Sequence, residues 1–291
     1  MSFGRNRGFL PVQMFIVMIK VNLIEKEHKI KIGQKCQDIE PNVKEDCIFM
    51  ADGKPIGFFI RKIKGNLKQY IEIANNEFKS DNVPKSKMAR AGKLRALQMG
   101  KSLKEAMSID VEQMSCILGA IPPKQLMRRP YPNISSVHSV KTARTFIKAM
   151  LLASAESEKL IKEILPEQYK KQKEILLKTP KEFRFGNLFT SSISNYNISA
   201  PFHRDAGNLK ETINVIITKR KYSTGGNLYI PDYDVCIDQC DNSILVYPAW
   251  RNVHGVTPIK QENEKGHRNS LIFYPLKAFE KYNKEELIVT K

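Results

Sequence analysis

The spacing of apolar positions changes character near residue 180. Before that point, Cys47 to Met50 and Pro55 to Ile60 flank Asp52-Gly53, a two-residue signal for a hairpin whose turn matches the twist of its strands. Residues 66–79 read as a helix. Ser139 to Leu165 predicts another, because Val140, Ala143, Ile147, Met150, Leu151, Leu160, Ile161 and Ile164 recur at helical spacing. Pro166 ends it, and Glu167 to Leu177 starts a third. Between hairpin and long helix, Pro84 to Gln98 sets Lys85, Lys87, Arg90, Lys93 and Arg95 among Met88, Leu94 and Leu97, which predicts a basic helix or turn.

After Thr179-Pro180 the runs become short and β-rich: Leu188–Ile193, Ile213–Thr218, Asn227–Ile230, Val235–Ile237, Ser243–Tyr247, His254–Ile259 and Asn269–Tyr274. Gly225-Gly226, Pro231-Asp232, Asp241-Asn242 and Gly266 punctuate them. Closely spaced short strands predict a sandwich or barrel of antiparallel sheets. The expected fold class is therefore α+β, with a β-core over 181–291 and a support of helices and hairpin over 19–180. No linker separates them, so one integrated domain is expected. Residues 1–18 read as an N-terminal extension. Arg5 and Arg7 precede an apolar stretch, Phe9 to Ile19, that is too short to span a bilayer and has no small-residue cleavage site.

Composition adds two constraints. The formal net charge of +18 attracts polyanions, which makes nucleic acid the first partner to consider. Lys85, Lys87, Arg90, Lys93, Arg95, Arg128 and Arg129 are the candidate phosphate contacts. The five cysteines (Cys36, Cys47, Cys116, Cys236, Cys240) form an odd, scattered set, which argues against a disulfide framework and for a reducing, intracellular compartment. Cys236 and Cys240 lack partners for a zinc site and read as structural. A monomer with no membrane association is expected.

The candidate chemistry lies in the β-rich part. In His203-Arg204-Asp205 the histidine and carboxylate are two apart, so on an extended segment both side chains point the same way. His254 follows behind four predicted strands, and a double sheet can return it to the same mouth. Two histidines and one carboxylate are the minimum set for a non-haem iron(II) site with open positions. Arg268 starts the last strong strand, where its guanidinium can pair bidentately with the distal carboxylate of a 2-oxo dicarboxylic acid.

These residues also carry a resemblance. Phe189 to Asn197 with His203-Arg204-Asp205-Ala206-Gly207-Asn208 resembles the TET/J-binding-protein oxygenases. So do Gly225 to Pro231, Tyr247-Pro248 with His254 to Pro258, and His267 to Tyr274. The resemblance is firm over roughly the last hundred residues and weaker over Ser135 to Gln172 and the hairpin. It implies a double-stranded β-helix (jelly-roll) core and oxidation of the 5-methyl group of thymine or 5-methylcytosine in DNA, with Fe(II), 2-oxoglutarate and O2. It implies that His203, Asp205 and His254 bind iron and that Arg268, with Ser270 and Asn195 nearby, binds 2-oxoglutarate. Asn208, three residues after the aspartate, is the position that faces the base in some relatives, with Asn197 and His267 as further substrate contacts. An asparagine can donate or accept, so Asn208 leaves thymine and 5-methylcytosine both open.

Other substrates keep the same iron site: alkylated nucleic acid, RNA or protein. Repair oxygenases usually carry a second arginine shortly after the first, and Asn269 to Leu276 contains none. A basic DNA-binding module without metal chemistry is the non-enzymatic alternative.

Overall fold

The computed structural model describes residues 18–87, 113–123, 131–280 and 282. In chain order the first strands are β1 (Ile19–Asn22), β2 (Cys47–Ala51), β3 (Lys54–Ile60), β4 (Ser86–Lys87), β5 (Met114–Ile121), β6 (Asn133–Ile134) and β7 (Ser191–Tyr196). Then follow β8 (Asn214–Lys221), β9 (Ser223–Gly225), β10 (Leu228–Ile230), β11 (Val235–Ile237), β12 (Ser243–Tyr247), β13 (Gly255–Val256), β14 (Ile259–Gln261) and β15 (His267–Tyr274). Among the described residues three α-helices, α1 (Gly65–Lys79), α2 (Arg144–Ile164) and α3 (Pro166–Leu176), complete the frame.

One large sheet runs β1-β2-β3-β12-β8-β15-β7-β5-β4, with β6 beside β5. A smaller sheet, β11-β10-β13, faces it. The β2–β3 hairpin forms as its turn residues predict: Asp52 and Gly53 both hold positive φ, which a two-residue turn between twisted strands requires. Its strands, and β5, extend the sheet that the later strands build, so residues from before position 180 belong to the same layer.

Alternation along each central strand fills two separate cores. On β8, Val215 and Ile217 meet Phe146, Met150 and Phe78 of the helices; Ile216 faces the smaller sheet with Leu245, Phe59 and Ile230. Pro166 takes the first position of α3, where its missing N–H costs nothing. Buried Glu158 of α2 accepts from the Asn187 backbone at 2.8 Å, the Asn187 side chain at 2.8 Å and the Leu188 backbone at 3.3 Å, which ties the helical layer to the approach of β7.

Several expectations shift. The expected strand at 188–193 begins at Ser191 and runs to Tyr196. The expected strand from His254 to Ile259 divides into β13 and β14. Pro258 cannot donate to a ladder, and Thr257 turns its hydroxyl to the Asn227 N–H at 2.9 Å. Ser86 and Lys87 form a short strand rather than the start of a basic helix, and 88–98 lie outside the described residues. Lys85 caps the end of α1, donating to the carbonyls of Phe78 and Ser80 at 3.0 and 2.6 Å, so it is committed to structure. Arg90, Lys93, Arg95, Arg128 and Arg129 lie outside the described residues. All five cysteines are free thiols. Among the described residues, no helix is long and apolar enough to cross a membrane.

Candidate metal centre and its cavity

His203 and His254 face each other across an isolated antiparallel bridge. Each backbone N–H donates to the other residue's carbonyl at 2.9 Å, and the imidazole centroids stand 4.4 Å apart. Asp205 lies two residues on, its Oδ1 3.5 Å from His203 Nε2. One ligand atom from each of the three residues lies within 4.8 Å of the others. Among the described residues this is the group of histidine and carboxylate side chains that could hold a metal ion.

The protonation pattern suits ligation. His203 Nδ1 meets the Pro201 carbonyl at 2.8 Å, and His254 Nδ1 meets that of Asn252 at 3.1 Å. A carbonyl only accepts, so each Nδ1 carries the hydrogen and each Nε2 offers a lone pair. Burial, and then the adjacent His203, hold the His254 pKa below the usual histidine range, which keeps the ring neutral.

Asp205 Oδ2 accepts from Asn214 Nδ2 at 3.0 Å and from Asn208 Nδ2 at 3.4 Å. The carboxylate fixes the direction of this chain of amides. Asn214 must turn its nitrogen to Asp205, which leaves its oxygen to accept from Asn208 Nδ2 at 2.9 Å. Asn208 therefore has both amide hydrogens engaged. Its Oδ1 accepts nothing among the described residues.

The triad opens into a cavity of about 480 Å³ between the two sheets. Ile193, Ile198, Leu228, Val256 and Ile272 form apolar walls, and Asn195, Arg268, Ser270 and Gln239 supply polar groups. Arg268 is 2% exposed. Its Nη1 donates to Ser270 Oγ at 2.5 Å and its Nη2 to Gln239 Oε1 at 2.6 Å, while its Nε–H has no partner. Gln239 Nε2 is also buried without a partner. Burial and the adjacent Arg220 pull the Arg268 pKa down to about 9, as expected for a cation held ready for an anion. A side chain at Gly226 would land on Cδ and Nε of this guanidinium, and its φ of +67° also favours glycine. The donor set thus fits a metal at one place and a carboxylate at another within one cavity.

The sequence-predicted residues divide cleanly. His203, Asp205, His254, Arg268, Ser270, Asn195 and Asn208 all line this cavity. Asn197 and His267 do not. Asn197 sits at φ +56° beyond the end of β7, and its Oδ1 accepts the Arg268 backbone N–H at 2.9 Å, so it fixes the start of β15. His267 precedes Arg268 on a strand and so points to the opposite face of the sheet. It is 5% exposed and stacks on Tyr196 with centroids 5.5 Å apart, rather than lying at the surface. Sequence reasoning missed Gln239, Asn214 and Arg220. No second arginine follows Arg268 on β15, yet Arg220 pairs with it from β8. The available signal was strand parity: Arg220, Thr218, Ile216 and Asn214 alternate toward one face.

Comparison with known proteins agrees with this geometry. The family profile described as the oxygenase domain of the 2OGFeDO superfamily (Tet_JBP) matches residues 127–277, more than half of the chain. No curated protein matches the sequence. Among solved structures, NgTET1 in complex with 5mC DNA is similar in fold, at 14% identity and a TM-score of 0.55 over 90% of each chain, in keeping with a jelly-roll core. A 2OG-Fe(II) oxygenase family protein from Caulobacter crescentus matches at 12% identity and TM-score 0.41, over 75% of this chain and 77% of its own. A full-length Neurospora crassa protein in complex with alpha-KG matches at 13% and 0.36, over 75% of each chain. The chain belongs to the Tet/JBP family and is a 2-oxoglutarate-dependent oxygenase that uses Fe(II), 2-oxoglutarate and O2.

Proposed function

We infer that the enzyme hydroxylates the 5-methyl group of a 5-methylpyrimidine in DNA. The observation that carries this reading is one cavity holding two histidine Nε2 atoms, a carboxylate and a buried, partly unpartnered guanidinium. His203, Asp205 and His254 hold the metal. Arg268 takes the distal carboxylate of 2-oxoglutarate, oriented by Ser270 and Gln239. Bound there, iron(II) with 2-oxoglutarate and O2 supplies the oxidation of a C–H bond, and 2-oxoglutarate leaves as succinate and CO2.

The chain's own residues do the rest. The Pro201 and Asn252 carbonyls keep both imidazoles in the ligating tautomer, Asn214 holds the Asp205 carboxylate, and the apolar walls exclude water. A base within a duplex cannot reach such a cavity and must be flipped out, at a cost of roughly a few kcal/mol. Contacts from a chain of charge +18 to phosphates offset that cost.

Asn208 favours one of the two bases. On a pyrimidine the 5-methyl and the C4 substituent are neighbours, and in the orientation proposed here a methyl aimed at the metal has its C4 group on the Asp205 and Asn208 side of the cavity. The amide of Asn208 has only its oxygen left to offer. An acceptor suits the 4-amino group of 5-methylcytosine and repels the 4-oxo group of thymine. Mass spectrometry of nucleosides, after incubating iron and 2-oxoglutarate with DNA containing or lacking 5-methylcytosine, tests the reading. Hydroxymethylcytosine is the expected product. Hydroxymethyluracil as the main product would overturn the choice of base, and no hydroxymethyl product from either DNA would overturn the substrate class.

A further inference from the structure

A second cavity, of about 680 Å³, opens beside the first. Arg204, Ala206 and Asn208 line both, so the metal-ligand loop is their common wall. Lys210, Arg251, Lys277 and the indole of Trp250 form much of the remaining wall. Glu211 also reaches it but is engaged by Lys171 at 3.0 Å; Glu280 is the other acid in the lining. Arg251 pairs at 3.2 Å with Asp52, which is largely exposed. Arg204, Lys210 and Lys277 make no ion pair among the described residues.

Trp250 is unusual in its placement. It belongs to none of the hydrophobic clusters, although it is the largest apolar side chain available to them. Its Nε1 donates to the Thr212 carbonyl at 2.8 Å, which fixes the ring half-buried at the wall of the cavity. Unpaired cations around an anchored aromatic ring match a nucleic-acid strand, which needs its phosphates neutralised and its unstacked bases given a platform. An acidic peptide would use the cations and leave the indole idle.

We propose that this cavity is the strand channel, which takes the nucleotide adjoining the flipped one. Its base stacks on Trp250, and its phosphates meet Arg204, Lys210 and Lys277. This rests on DNA being the substrate. The shared wall is what links the two cavities: a nucleotide that enters the metal cavity past Arg204 and Asn208 carries its flanking phosphate onto this wall.

Trp250 is the chain's only tryptophan, so its fluorescence reports on this cavity and on the smaller pocket that the ring also lines, with no other indole contributing. The iron- and 2-oxoglutarate-loaded protein, kept anaerobic, is titrated with a labelled duplex containing one 5-methylcytosine. Binding is followed by anisotropy of the label, and the indole by its emission. Quenching in step with binding is expected, and polyglutamate should not reproduce it. In a Lys210→Gln/Lys277→Gln variant that melts like the parent, the log–log salt dependence of DNA affinity should be shallower by about 0.9 for each contact removed. Binding with unchanged emission and an unchanged slope overturns the channel but leaves DNA as substrate. Equal quenching by polyglutamate also overturns the channel. Failure to bind the duplex at all removes both readings.

Discussion

On β15, Leu271 and Phe273 point into the helix-covered core, whereas Arg268 and Ser270 point into the space between the sheets. β8 repeats the division, with Val215 and Ile217 on one side and Asn214 and Arg220 toward the other. The helix side is filled by aromatic and aliphatic side chains such as Phe78, Phe146, Phe189 and Phe273. Its unpartnered polar atoms are mainly hydroxyls, of Ser154, Ser192 and Ser194, with the amide oxygen of Asn269. Between the sheets, beside the hydroxyls of Thr218 and Tyr233, the unpartnered atoms include guanidinium and amide N–H groups of Arg268, Arg220 and Gln239. Buried N–H groups that lack acceptors are costly, and they persist where a ligand is to supply the acceptor. One face of the strands therefore secures the fold, and the other is left incomplete in a way an anion corrects.

Substitutions on the two faces should separate these roles. The largest effect is expected for His203→Ala. Succinate formation from 2-oxoglutarate should fall to background, while the metal-free protein keeps its melting temperature within a few degrees, because this side chain is 39% exposed. Undiminished succinate would remove His203 from the metal site. On the opposite face, Phe273→Ala should lower stability by about 3–5 kcal/mol, measured by denaturant unfolding, with turnover per folded molecule retained. A loss below about 1 kcal/mol would mean that the ring is not packed as described.

Arg268→Lys comes next. An ammonium cannot span Ser270 and Gln239 and still present a fork, so KM for 2-oxoglutarate should rise about 10- to 100-fold. An unchanged KM would place the carboxylate elsewhere. The smallest effect concerns pH. His138, His254 and His267 are all held below the usual value of 6.5, chiefly by burial. Their folded values are depressed, so the unfolded chain binds more protons in that window. The stability they contribute is complete above pH 6.5 and is lost as pH falls through the lower folded values. His138 Nε2 accepts the Gly119 N–H at 2.9 Å, a bond that protonation removes. Melting temperature should drop on acidification below about 6.5, and a flat profile to about pH 5 would contradict this.

The comparison also explains what could be read before the fold was known. His203, Asp205, His254 and Arg268 were visible because they sit in local motifs at recognisable points of the strand pattern. Gln239 and Asn214 have no motif; they matter through side chains brought close by pairing between distant strands. β5, Met-Ser-Cys-Ile-Leu-Gly-Ala-Ile, escaped because both its faces are covered, so its sequence lacks the alternation that marks a half-buried strand. β1 was hidden at the end of the apolar stretch from Phe9. The hairpin, α1 and the long helix were predictable from turn chemistry and periodicity, which are local properties.

The backbone bridge between His203 and His254 has a consequence for how the metal is loaded. Two main-chain hydrogen bonds, rather than the metal, hold the histidines in register, so insertion requires ligand exchange and no folding step. Chelation and reloading should then be a reversible cycle within a folded protein. The gain in melting temperature on reloading should follow the logarithm of free iron(II) concentration over its dissociation constant. An apoprotein that unfolds on chelation would show that the bridge does not stand alone.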